Sequence, residues 1–294
     1  MPKQSQKIAI CYDFDGTLAP GNMHEHSLLP VLGIKKEKFW SESNKMAKDH
    51  NMSGILSYMF LTLDKAKTHN HSIKRKSFSD HGKNIRLFKG LNNYFKSINK
   101  YAKRQKVSIE HYIISSGLKE IIEGTSIRKQ FKYIFASEFM YNVDGIASWP
   151  ALAIDYTNKT QYLFRINKGI LNSWDNDKIN KYTPEADRPI PFSRIIYIGD
   201  GETDIPAMKM VNFQGGYSIA VYDPKKRHSY RRKSPKDICL ELVNHRRASF
   251  IAPADYRQDK LLFKLLKIII NKIMAESEMS KVQLKYKKEI ESAS

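Results

Sequence analysis

Short apolar runs punctuate the chain at Ile8–Tyr12, Ile109–Ile114, Tyr133–Phe135, Ile195–Ile198 and Ser218–Tyr222, with a weaker one at Phe250–Ala252. Each is only a few residues long and rich in Ile, Val, Tyr or Phe. Several run into Gly, Asp or Ser, which is the pattern of strands buried on both faces. Between them the period changes. Leu91–Arg104 has apolar residues at 91, 94, 95, 98 and 101, which fall on one helical face. Leu118–Glu123 opens another helix directly after Ser115-Ser116-Gly117. Strands alternating with helices predict an α/β fold with a mainly parallel sheet covered on both faces.

Residues 21–85 break the alternation. They hold no clear buried strand, but helix-like pieces at Lys35–Lys48 and Ile55–Ala66, followed by a polar, histidine- and lysine-rich stretch at Lys67–Lys83. This reads as a helical insertion after the first strand. Within Phe139–Asp155, the turn signal Val143-Asp144-Gly145-Ile146 predicts a small antiparallel excursion. Lys178–Pro191, with Pro184, Pro189 and Pro191, reads as a loop leading into the strand at Ile195. Asp259–Ser294 is helical in pattern, with Leu262, Leu265, Leu266, Ile269 and Ile273 on one face and Lys264, Lys267 and Lys272 elsewhere. Such a basic amphipathic helix can meet a membrane surface or a partner, but packing on its own domain is the expectation. Beyond about Glu276 it is expected to fray or run free. The division expected is a core of residues 1–20 and 86–257, a cap of 21–85 and a tail of 258–294.

Composition adds bounds. With 294 residues, 41% of them apolar, the chain can bury a sizeable core. Cys11 and Cys239 lie far apart in the sequence and match no metal-ligand spacing. A disulfide framework is therefore not expected, and a cytoplasmic setting is. The start of the chain lacks the apolar stretch of a secretory signal, and no apolar run is long enough to span a membrane. The formal charge of +20 favours anionic partners. A basic balance alone is weak evidence for nucleic acid, so a phosphorylated metabolite is the expected partner and nucleic acid is not. Nothing in the chain sets an oligomeric state.

The candidate chemistry sits at the ends of the apolar runs. Ile8-Ala9-Ile10-Cys11-Tyr12 leads into Asp13-Phe14-Asp15-Gly16-Thr17. Open parallel sheets place ligands at such carboxyl ends. Two nearby carboxylates repel unless a cation or a shared proton relieves them, and magnesium prefers oxygens of this kind. Ile195–Ile198 leads in the same way into Gly199-Asp200-Gly201-Glu202-Thr203-Asp204, where Asp200 and Asp204 could approach the same cation. Ile113-Ile114 leads into Ser115-Ser116-Gly117, whose hydroxyls and backbone N–H groups suit a phosphate oxygen. Lys168, in Asn167-Lys168-Gly169, offers a positive charge for that phosphate. Each element alone has a plain structural reading as a turn or a solvated charge.

Together, in this order, they resemble the haloacid dehalogenase superfamily, and within it the phosphoserine-phosphatase-like branch. Asp13 to Thr17 matches the family's D-x-D-G-T. Ser115 or Ser116 matches the hydroxyl residue ending the second strand, with Ser115 first choice. Lys168 is the best match to the basic residue, and Gly199 to Asp204 matches G-D-G-x-x-D. The resemblance covers roughly residues 7–257, is thin across the cap and is absent from the tail. It implies a Rossmann-like three-layer α/β/α core with a small helical cap inserted after the first strand. By similarity, Asp13 attacks phosphorus to form an aspartyl-phosphate, and Asp15 acts as general acid and then base. Mg2+ is held by Asp13, Asp200 and the backbone carbonyl of Asp15, with Asp204 supporting that loop. Ser115, Ser116, Gly117 and Lys168 hold the phosphate. The expected activity is hydrolysis of a small phosphomonoester. Alternatives are a nucleotide phosphatase or phosphomutase of the same superfamily, or a basic nucleic-acid- or partner-binding protein on this fold. Two weaker features stand beside these. His24-Glu25-His26 either lines the substrate pocket or simply starts a helix, and Lys225–Lys233 either meets an anion or is a solvated loop.

Overall fold

The computed structural model describes residues 6–226 and 233–293, so most of the basic run Lys225–Lys233 lies outside the described residues. Seven strands form one sheet: β1 (Gln6–Tyr12), β2 (Val107–Leu118), β3 (Tyr133–Tyr141), β4 (Ala147–Leu152), β5 (Ile195–Gly199), β6 (Tyr217–Tyr222) and β7 (Phe250–Pro253). Their order is β4-β3-β2-β1-β5-β6-β7, parallel throughout except for the antiparallel β3–β4 pair. The first strand lies near the centre. Later strands are laid to one side of it as β2 and β3, then to the other as β5, β6 and β7. The gap between the carboxyl ends of β1 and β5 is therefore the point where the winding changes direction, the place such sheets present a ligand crevice.

Twelve helices are described. They are α1 (Met23–His26), α2 (Leu28–Val31), α3 (Lys36–Asp49), α4 (Gly54–Thr68), α5 (Arg75–Gly82), α6 (Leu91–Arg104), α7 (Lys119–Glu123), α8 (Lys159–Lys168), α9 (Asn176–Asn180), α10 (Ile205–Phe213), α11 (Pro235–Asn244) and α12 (Leu261–Ala293). Side chains alternate across β1, and both sets are apolar. Ile8, Ile10 and Tyr12 join a core with α6 and α12, while Ala9 and Cys11 join a second core with α8, α10 and α11. That is why the run reads as continuously hydrophobic. Burying each branched or aromatic side chain is worth roughly 1.5–3 kcal/mol. On the first face, α6 contributes Leu91, Tyr94, Phe95, Ile98 and Ala102, and α12 contributes Leu262, Leu266, Ile269 and Ile270. The result is three layers.

Between β1 and α6 lie the helices α1 to α5, the segment expected as an insertion. Asn22 caps α1, its Oδ1 accepting the His24 N–H at 3.0 Å, and Ser53 caps α4 through Ile55 N–H at 3.2 Å. The chain returns beside its point of departure, where Phe88 N–H donates to the Leu18 carbonyl at 3.0 Å. The polar stretch at Lys67–Lys83 contains α5, which buries Phe78 and His81 and crosses α7 closely. A Cβ on Gly124, just after α7, would lie 1.8 Å from the Ser79 carbonyl oxygen, so only glycine permits that crossing.

The hairpin forms as the turn signal indicated, with Asn142 Oδ1 accepting from Asp144 and Ile146 N–H. Two strands run longer than their apolar runs. β2 continues to Leu118 with a register shift between Ser115 and Leu118, and β3 continues to Tyr141 because its outer half pairs with β4. The segment Lys178–Pro191 is preceded and partly entered by α9 and holds one 3-10 turn at Glu185–Asp187, but is otherwise loop. Among the described residues no helix is long and apolar enough to cross a membrane.

Candidate active site

Parallel pairing carries Asp13 into position. Its N–H donates to the Ile198 carbonyl at 2.9 Å, so the backbone of β1 stays in register with β5 for one residue past the strand. The chain then folds tightly. The N–H groups of Thr17, Leu18 and Ala19 all converge on the Phe14 carbonyl, at 3.3, 2.8 and 3.1 Å, and Gly16 N–H meets the Ala19 carbonyl at 2.7 Å. Tyr256 Oη donates to the Thr17 carbonyl at 2.7 Å and fixes the loop from the segment that follows β7. Gly16 is obligatory here. Its φ is +73°, and a Cβ would fall 1.9 Å from Asp200 Oδ2. The loop of β1 and the loop of β5 thus touch through a residue with no side chain.

The acidic groups gather around one cation, and it is a lysine. Lys159 Nζ donates to Asp13 Oδ1 at 2.9 Å and to Asp204 Oδ1 at 2.7 Å, with Lys159 1% exposed and Asp204 fully buried. Asp204 is held further by Tyr197 Oη at 2.7 Å and by the Asp200 N–H at 3.2 Å. Its acceptors are mostly spent on positioning Lys159 and the Asp200 loop. Asp15 Oδ1 accepts the Met23 N–H at 2.8 Å, which ties this carboxyl to the first turn of α1.

The electrostatics follow from burial and crowding. Burial pushes Asp13 up to about 6, Lys159 opposing the rise and Asp204 adding to it. Asp15 is driven well above the carboxylate range by burial and by Asp13, against the Met23 N–H. Asp200 is likewise driven well up by burial, then by Asp13 and Asp204. Burial works against charge on Lys159, but Asp13 and Asp204 together outweigh it and its pKa rises. Asp13, Asp200 and Asp204 each bring an oxygen within 4.8 Å of the others, the one such three-ligand group among the described residues. An all-oxygen set whose members resist ionising together fits a hard divalent cation such as Mg2+.

Asp13, Asp200 and Asp204 thus converge, with the Asp15 carboxyl just outside their cluster. The hydroxyl loop is close by. Ser115 Oγ accepts from Gly117 N–H at 3.1 Å, and Ser116 Oγ is buried without a hydrogen-bond partner. Gly117 lies against the Met23 side chain and near Asp15 Oδ2. Lys168 is the exception. Its Nζ donates to the carbonyls of Ile179 at 2.6 Å and Lys181 at 2.8 Å, stapling the loop after α9. Lys159 and Lys168 are the first and last residues of α8, so at 1.5 Å per residue they stand about 14 Å apart along the axis. Lys159, and not Lys168, is the lysine whose ammonium reaches Asp13. A signal for it exists. A lysine at a helix N-terminus opposes the macrodipole, a local misfit that marks function, whereas Lys168 sits at the C-terminus, where a cation is favoured.

Comparisons with known proteins agree in direction. A family model for haloacid dehalogenase-like hydrolases matches residues 10–209. An uncharacterized protein of Borreliella burgdorferi is 30% identical over 236 residues, which cover 72% of this chain and 81% of that protein. Among solved structures, a HAD family hydrolase from Salmonella enterica serovar Typhi is similar with a TM-score of 0.55 at 17% identity, over 91% of this chain and 72% of that one. A phosphoserine phosphatase carrying an analogue of its phospho-aspartyl intermediate is similar with a TM-score of 0.52 at 15% identity, over 90% of this chain and 99% of that one. At these identities the two structures speak for the fold.

Proposed function

From the premise that the chain belongs to the haloacid dehalogenase-like hydrolase family, we propose that it is a Mg2+-dependent phosphatase acting on a small phosphomonoester through Asp13. The observation that carries this reading is the pairing of Asp13 with Lys159, with the Asp15 carboxyl close by and its pKa raised by burial and by Asp13. Asp13 is a nucleophile whose charge needs screening from an anionic substrate, and Lys159 supplies a fixed ammonium for it. A carboxylate oxygen of Asp13 forms a bond to phosphorus as the bond from phosphorus to the ester oxygen breaks. Asp15, whose pKa burial and Asp13 raise, gives a proton to the departing oxygen. The resulting Asp15 carboxylate takes a proton from the water that attacks phosphorus, which frees Asp13 and returns phosphate. The Ser116 hydroxyl and the backbone N–H groups of the Ser115 loop would donate hydrogen bonds to phosphate oxygens.

Asp13, Asp200 and the backbone carbonyl of Asp15 would hold Mg2+, with Asp204 orienting the loop. When bound, the ion supplies neutralisation of the phosphate charge. The helical segment 21–85 would act as a cap that limits water access during transfer. The test is direct. Purified protein with Mg2+ should release phosphate from p-nitrophenyl phosphate, EDTA should abolish the release, and Asp13→Asn should be inert. Turnover by Asp13→Asn at the wild-type rate would sink the mechanism.

A further inference from the structure

The seam between α1 and the hydroxyl loop holds a buried acceptor with nothing to accept. His24 is 1% exposed, and its Nε2 is buried with no hydrogen-bond partner. The rest of the ring is committed. Its Nδ1 lies 2.9 Å from Asn22 Oδ1, the same atom that accepts the His24 backbone N–H. That shared atom is an acceptor, so Nδ1 carries the proton and Nε2 presents a bare lone pair. Burial, with His81 adding to it, holds the ring neutral by lowering its pKa to about 3. An unsatisfied acceptor in a packed interior is costly unless something fills it in the working state.

Its position says what could. Met23, the preceding residue, binds Asp15 Oδ1 through its N–H. On its other side the His24 ring lies edge-on to Tyr58, with centroids 5.1 Å apart, and Tyr58 Oη donates to the Ser116 carbonyl at 2.5 Å. Phe39 and Trp40 also pack against the ring. His24 thus follows the residue that holds the acid and packs on the tyrosine that holds the hydroxyl loop, the region where the departing part of a phosphoester must lie if Asp15 is to protonate it. We infer that His24 is a specificity-determining residue whose Nε2 accepts a hydrogen bond from a hydroxyl or ammonium on the substrate's leaving group. The substrate class is then an alkyl phosphomonoester bearing a donor a few bonds from the ester oxygen. This rests on the phosphatase reading above and deepens it.

The experiment separates the two. Turnover of p-nitrophenyl phosphate by the wild type with Mg2+ reports the phosphatase reading, and an inert wild type overturns both. The protein is then assayed on sn-glycerol 3-phosphate, O-phosphoethanolamine and propyl phosphate, which carry a hydroxyl, an ammonium and no donor. The expected kcat/KM for at least one of the first two exceeds that for propyl phosphate by about tenfold or more. His24→Phe, which retains an aromatic ring, is expected to bring that ratio toward one, chiefly through KM. The two donor arms distinguish a polyol from an amino-alcohol ester. If the wild type cleaves p-nitrophenyl phosphate but treats the three esters alike, or if His24→Phe keeps the preference, the inference is wrong and the lone pair serves an internal water. Should His24→Phe fail to fold, the imidazole 15N resonance of His24 in Asp13→Asn decides. An upfield move of Nε2 on adding the preferred ester supports the contact, and an unmoved resonance overturns it.

Discussion

The two lysines at the ends of one helix have different partners. Lys159 bridges two buried carboxylates, and Lys168 staples a loop. Replacing Lys159 with Met is expected to lower kcat by on the order of a hundredfold or more. It also leaves Asp204 buried without its cation, which costs about 3–5 kcal/mol. Lys168→Met is expected to keep kcat near wild type. Steady-state kinetics on protein checked by circular dichroism, with urea melts alongside, reads all of these; equal activity loss in both variants would contradict the assignment. The strand-end carboxylates were legible because an apolar run closing on Asp-x-Asp-Gly is local information. Which lysine reaches them was not, because it depends on the end of α8 that faces the sheet's carboxyl edge, a tertiary fact. In a chain with 50 Lys and Arg residues, composition gave no help.

At the scale of elements, a polar chain links the sheet to its covering helix. His111 of β2 lies between Asn99 Oδ1 at 2.9 Å and Tyr12 Oη at 3.0 Å, and Tyr12 Oη meets Tyr94 Oη at 2.8 Å. Burial lowers the His111 pKa to about 3 from the ordinary 6.5, so the folded state binds no proton where the unfolded state binds one. That contribution is fully present above about pH 6.5 and is lost as pH falls toward 3. Between pH 7 and pH 5 it amounts to about 2 kcal/mol. His111→Phe loses the hydrogen bonds at every pH but also removes this slope. Urea unfolding at the two pH values should therefore show the wild type losing about 2 kcal/mol more than the variant on acidification; parallel losses would show that His111 titrates normally. The strands around this chain were readable because both faces are apolar. By contrast α5 was hidden, since only Phe78, His81 and Gly82 of its eight residues are buried. It is held by the backbone crossing at Gly124 and by single contacts such as the Phe78 ring on Phe139, which leave no hydrophobic periodicity to read.

For the whole molecule, α12 has two parts. Leu262, Leu266, Ile269, Ile270 and Ile273 sit in the core, while Val282, Leu284, Tyr286 and Ile290 are exposed. The hand-over falls near residue 277, where Arg194 Nη2 donates to Ser277 Oγ at 3.2 Å. A stop after Ser280 is expected to change stability by no more than about 0.5 kcal/mol. Leu266→Ala is expected to cost about 2–5 kcal/mol. Thermal melts compare the two; a large loss on truncation would mean the outer turns are held by something beyond the core contacts. The packed half was legible as an amphipathic face. Where the packing stops was legible too, since the stretch beyond about Glu276 was expected to run free and its apolar residues are exposed.

The hydrogen bond from Phe88 N–H to the Leu18 carbonyl has a thermodynamic meaning beyond fixing a loop. It makes the helical insertion a closed ring hung on two adjacent backbone atoms, with its ends already brought together by the core. Closure entropy for such a ring grows only with the logarithm of its contour, about 0.6 kcal/mol for each doubling. Evolution can therefore lengthen, shorten or rewrite this insertion at small thermodynamic cost, while the strand-end carboxylates keep their backbone geometry.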